Sequence, residues 1–119
     1  MRGDENAEQL LDILEKEAQP QKVSSITVLE LYEGVARSQT PESKQQHILE
    51  ILDTKHVVSA DRAVMRKAGK ICGELINDGM RIEREDCVIA ATGLLNDEPV
   101  VTRNTKHFER VEGLEIRSY

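Results

Sequence analysis

Residues 81–108, RIEREDCVIAATGLLNDEPVVTRNTKHF, decide the fold. Asp86 stands directly before Cys87, Val88, Ile89, Ala90 and Ala91, a run that reads as a helix apolar on nearly every side. Such a helix is buried. The turn residues Asn96, Asp97, Glu98 and Pro99 break it, Val100, Val101 and Thr102 read as a short buried strand, and Arg103 and Asn104 emerge at that strand's carboxyl end. Open α/β sheets bind their ligands beyond the carboxyl ends of the strands. The segment therefore predicts a central helix, an inner strand and a polar site together.

Working outward toward the C-terminus, a helical turn runs through Phe108, and Gly113 precedes a last strand near 115–117. Upstream, Ser59 or Asp61 caps a long helix with Val64, Ala68, Ile71, Cys72, Leu75 and Ile76 on one stripe, closed at Asp78 and Gly79. Its basic residues Arg62, Arg66, Lys67 and Lys70 read as a solvated face. Residues 55–59 form a plausible edge strand. Thr40, Pro41 and Glu42 mark another helix start, with Ile48, Leu49, Ile51 and Leu52 on its apolar side. Residues 22–26 are a further strand, after which Ser25 or Thr27 begins a helix containing Val28, Leu31, Tyr32 and Val35. Asp4 can cap a first helix, apolar at Ala7, Leu10, Leu11 and Leu14, that ends before Pro20. Strands alternating with helices favour a parallel sheet with helices on both faces, a three-layer α/β/α sandwich. Right-handed crossovers bring the helix N-termini after each strand to one rim, where Glu30, Asp86 and Asn104 fall.

The length of 119 residues fits a single domain, 1–119, with one core. No apolar run approaches the ~20 residues needed to span a bilayer, and no secretory h-region is seen near Met1, so residence in the cytoplasm is the default expectation. Cys72 and Cys87 lack a CxxC spacing and read as buried reduced thiols without redox function. A net charge of −6 argues against a broad basic nucleic-acid face. It leaves room for a nuclease that reaches a few phosphates through a divalent ion.

Carboxylates joined by an amide or hydroxyl oxygen suit Mg²⁺ or Mn²⁺, and the shortage of His and Cys argues against zinc. Ions of this kind activate water and stabilise charge at phosphorus in phosphodiester hydrolysis. Each residue also has a plainer reading. Glu30, placed in a first helical turn, complements the helix dipole; Asp86 serves as a helix N-cap; His107 is more often structural. Neither a G-x-S-x-G elbow nor a phosphate-binding glycine loop is found.

Residues 25–31 (SITVLEL), 86–92 (DCVIAAT) and 101–108 (VTRNTKHF) resemble, in order and spacing, three signature blocks of PIN-domain ribonuclease toxins of the VapC type. The resemblance covers nearly the whole chain. It implies an Mg²⁺-dependent (or Mn²⁺-dependent) endoribonuclease of toxin-antitoxin pairs, with RNA as substrate and an antitoxin protein as partner. By motif, Glu30 and Asp86 become metal-site members and Asn104 holds a bound water or the scissile phosphate; Thr102 flanks the site, and Arg103 and Lys106 contact phosphate. The family's opening strand and its first aspartate have no counterpart here, since residues 1–4 resemble the loop that follows them. Three resolutions stay open: a start assigned too late, a sheet that closes over the gap, or contacts from another chain. An unpaired interior strand is adhesive, so a homodimer or larger assembly is expected. The alternative to an enzyme is a non-catalytic remnant acting as an interaction module, and a plain α/β scaffold is the third class.

Overall fold

A computed structural model describes residues 2–119, with side chains from Ala7 onward. The elements run α1 (Arg2–Lys16), β1 (Lys22–Ser24), α2 (Ser25–Ala36), α3 (Pro41–Leu52), β2 (His56–Val58), α4 (Arg62–Asn77), α5 (Arg84–Asn96), β3 (Val100–Thr102), α6 (Thr105–Phe108) and β4 (Ile116–Ser118). The first helix begins ahead of Asp4, whose side chain lies outside the described residues. Leu10, Leu11 and Leu14 are buried as the spacing requires.

β1 passes into α2 without a loop. Ser24 is extended, and its hydroxyl oxygen accepts the Ile26 N–H at 3.0 Å, so the cap is Ser24 rather than Ser25 or Thr27. The expected strand over 22–26 is cut short by the same bond. Because α2 starts at Ser25, Glu30 sits in its second turn, beyond the reach of the N-terminal dipole. Pro41 occupies the first turn of α3 as expected. Asp61 proves to be the cap of α4, accepting the Val64 N–H at 3.0 Å. At its other end Gly79 takes φ +72° and the Met80 N–H reaches the Leu75 carbonyl at 2.8 Å. Val64, Ala68, Ile71 and Leu75 are buried along one stripe, whereas Ile76, next to Leu75 and rotated about 100° from it on the helix, is 55% exposed.

Every residue of α5 from Asp86 to Gly93 is buried. The helix stops at Asp97, which adopts φ +53° in the left-handed region, while the Glu98 N–H bonds back to the Gly93 carbonyl at 2.9 Å. Glycine is required at 93 by that return: a Cβ there would lie 2.9 Å from the Glu98 carbonyl oxygen.

β1 pairs in parallel with β2 (Lys22 with His56) and β3 in parallel with β4 (Val100 with Ile116). Among the described residues β1 and β3 are not hydrogen-bonded to each other, although both lie against α5. Among the described residues the sheet thus comes in two halves, so the alternative in which it closes into one is not met. Side-chain bonds bridge the segments flanking the two halves: the Gln21 N–H donates to Glu98 Oε2 at 3.0 Å and Arg117 Nη2 donates to Gln19 Oε1 at 3.1 Å. Leu10 and Leu14 of α1 lean toward the seam and, with Val23, Val100 and Val101, line a residual cavity of about 30 Å³. On one face α4 and α5 pack with β3 around Phe108 and Val100; on the other α1, α2 and α3 enclose Leu14, Leu31 and Ile48. This is the predicted three-layer α/β/α arrangement with parallel strands. Cys72 and Cys87 are both free thiols, Cys87 buried as expected but Cys72 only half-buried. No helix among the described residues is long and apolar enough to cross a membrane.

Candidate acidic cleft

The carboxyl end of β3, the first turn of α5 and one face of α2 meet around a cavity of about 240 Å³. Glu30, Asp86, Thr102, Arg103 and Asn104 all line it. The order of strands and helices predicts the meeting of Glu30, Asp86 and Asn104, and the family resemblance adds Thr102 and Arg103. Lys106, expected beside phosphate, is exposed and does not line the cleft, because the turn of α6 carries it away from the rim.

The two carboxylates dominate the electrostatics. Burial pushes the Glu30 carboxyl up, the charge of Asp86 pushes it further, with Glu33 and Glu85 adding, to about 7. Asp86 is also held above the usual carboxylate range, chiefly by burial, with the His107 imidazole pulling the other way and Glu83 and Glu85 adding to burial. Glu30 keeps more than a third of its surface in solvent, so water screens part of this interaction.

His107 Nδ1 lies 3.9 Å from Asp86 Oδ2, too long for a hydrogen bond but near enough to favour the carboxylate. That nitrogen is buried with no hydrogen-bond partner, while the side chain as a whole is 43% exposed. His107 thus flanks Asp86 from a half-buried position and does not itself line the cavity. Asn104 precedes α6, and its backbone N–H donates to Thr102 Oγ1 at 2.9 Å, which shapes the loop and aims both residues at the same space. The Arg103 guanidinium lies 5.5 Å from the centroid of the Tyr119 ring. Burial raises the Tyr119 hydroxyl, Arg103 lowering it and Glu30 raising it again.

Tyr119, Thr27, Glu33 and Arg37 line the cleft and were not anticipated. Thr27, Glu30, Gly34 and Arg37 fall at helical spacing on one face of α2, a signal present in the sequence once Glu30 is taken as a site residue. Tyr119 carries no such local signal; it arrives through the pairing of β4 with β3.

The cleft offers the carboxylates of Glu30, Asp86 and Glu33, the Asn104 amide and the hydroxyls of Thr27 and Thr102, hard oxygens that fit Mg²⁺ or Mn²⁺ rather than a softer ion. Among the described residues no three Asp, Glu, His or Cys side chains are gathered closely enough to hold a metal ion. Such a cation would keep much of its water shell, as Mg²⁺ commonly does.

The PIN domain family profile matches residues 1–114. Ribonuclease VapC1 of Methanocaldococcus jannaschii is 32% identical over 98 residues, covering 82% of this chain and 68% of that protein. The tRNA(fMet)-specific endonuclease VapC of Shigella flexneri is 33% identical over 97 residues, 82% of this chain and 74% of its own length. Among solved structures, DNA-bound VapBC of Salmonella typhimurium superimposes with a TM-score of 0.74 at 26% identity, over 96% of this chain and 84% of that one. VapBC2 of Rickettsia felis, bound to a promoter DNA fragment, gives 0.72 at 27% identity, over 81% and 72%.

Proposed function

Since this chain belongs to the PIN-domain family, and within it to the VapC-type toxins, we propose that it hydrolyses RNA phosphodiester bonds with a divalent metal ion as cofactor. The observation that carries the proposal is the convergence of Glu30, Asp86 and Asn104 on one cleft. In this reading Glu30 and Asp86 hold Mg²⁺ or Mn²⁺, which would supply charge neutralisation at phosphorus and a more acidic water. Asn104 orients a water or the scissile phosphate through its amide, and Thr102 keeps the Asn104 loop in register. Arg103 and Arg37 line the same cavity and supply positive charge for the RNA backbone, Arg103 with its orientation fixed over Tyr119. Lys106 stands outside the cleft and would touch only a flanking phosphate.

An RNA cleavage assay with added Mg²⁺ or Mn²⁺ tests this reading. Asp86→Asn and Glu30→Gln should each abolish metal-stimulated cleavage; cleavage that survives both, on a protein freed of contaminating nucleases, overturns the assignment.

A second reading, a non-catalytic interaction module, is favoured by the absence of a three-ligand cluster among the described residues. Calorimetric titration with Mn²⁺ separates the two, because an interaction module needs no ion at Asp86. In either case we infer that the partner is an antitoxin protein, in keeping with the VapBC structures that this chain resembles. From the division of the sheet into two separate halves we infer assembly with another chain, including a second copy of this one. A monodisperse monomer by sedimentation at low micromolar concentration overturns the homodimer.

A further inference from the structure

Cys72 on α4 and Cys87 on α5 are 15 residues apart in sequence, yet their sulfur atoms lie 2.8 Å apart. Both are free thiols. A disulfide needs a separation of about 2.05 Å, so closing the bond requires a movement of about 0.75 Å, within the give of two packed helices. The two sulfurs also differ in access. Cys87 is 1% exposed and belongs to the core cluster, whereas Cys72 is half-buried and packs against that cluster from its edge. One thiol can meet a small oxidant from solvent and the other stands directly behind it. That is the geometry of an attacking and a resolving cysteine.

We propose that Cys72 and Cys87 form a modification site at which a hydroperoxide drives a reversible intrachain disulfide between α4 and α5, next to Asp86. The Cys72 sulfur attacks one oxygen of hydrogen peroxide, the O–O bond breaks, the first water leaves with the Cys72 proton, and Cys72 becomes a sulfenic acid. The Cys87 sulfur then attacks that sulfur; the S–O bond breaks and the departing hydroxide leaves as a second water carrying the Cys87 proton. Two thiols lose two electrons and the peroxide gains them. A dithiol such as dithiothreitol reverses the bond by exchange. The bond anchors the first turn of α5, where Asp86 precedes Cys87, to the long helix α4. The inference does not depend on RNA cleavage.

The test uses the whole chain, reduced, desalted and treated with a few equivalents of hydrogen peroxide. Expected are an intact mass lower by ~2 Da, loss of both thiols to alkylation after denaturation, recovery of both with dithiothreitol, and a thermal midpoint raised by several degrees in the oxidised form. Cys72→Ser places its change at the half-buried position, so the fold is retained. It should show neither the mass loss nor the shift in midpoint. Disulfide-linked dimers in place of the intrachain bond overturn the proposal. So does a mass gain of one or more oxygens in the wild type with Cys87 still alkylatable, or an unchanged thiol count after treatment.

Discussion

Raising the pH of the metal-free protein from 4.5 to 7 should weaken it, and Glu30 carries a defined share of the loss. In the folded chain its carboxyl is displaced from the ordinary 4.5 up to about 7 by burial and by the charge of Asp86. Between those two values the native state keeps a proton that the unfolded state has released, so stability falls as pH rises through the window and the loss is complete above it. At about 1.36 kcal/mol per decade the full displacement corresponds to ~3.4 kcal/mol. Glu30 is more than a third exposed, and screening reduces this to ~1 kcal/mol, or roughly 3 to 6 °C in the melting midpoint of a domain this size. Melting curves of wild type and Glu30→Gln, followed by circular dichroism in a chelator between pH 4.5 and 8, isolate the effect. The contribution of Asp86, whose carboxyl is also raised, has the same sign and largely cancels in the difference. Wild type should lose 3 to 6 °C relative to the variant across the window, and millimolar Mg²⁺ should restore it above pH 7, because an ion bound only to the folded state stabilises that state. Parallel curves from pH 4.5 to 7 would refute the claim that these carboxylates share one cleft.

Two further substitutions probe what holds the cleft walls. Gly93→Ala brings a Cβ to 2.9 Å from the Glu98 carbonyl and 3.1 Å from Val100 Cγ2, so α5 or β3 must shift, at a cost of ~1 to 3 kcal/mol in urea unfolding; a cost under ~0.5 kcal/mol means the turn slides freely. Asp61→Ala removes the bond to the Val64 N–H and should cost about 1 kcal/mol by the same measurement, whereas Asp61→Asn should stay close to wild type.

The sequence by itself determined the features that depend on neighbours along the chain. A run from Cys87 to Ala91 with no polar face has to be buried wherever it packs, and Asp61, Pro41 and Gly79 end or start helices through backbone bonds to residues a few positions away. The order of strands and helices set the layers, and with them the rim where Glu30, Asp86 and Asn104 meet. Tertiary structure decided whatever joins distant segments. Where β1 ends and α2 begins was settled by the Ser24 cap and the partner strand β2, which displaced Glu30 from the first turn. The parallel sheet was legible as a class, but its division into two halves was not, since the bonds that would join β1 to β3 lie between segments about 75 residues apart with no local mark. The 2.8 Å approach of Cys72 to Cys87, the unpartnered His107 nitrogen beside Asp86 and the arrival of Tyr119 at the cleft share that origin. Local patterns fix which face of an element is apolar; only close packing fixes which side chain of one element stands against which of another.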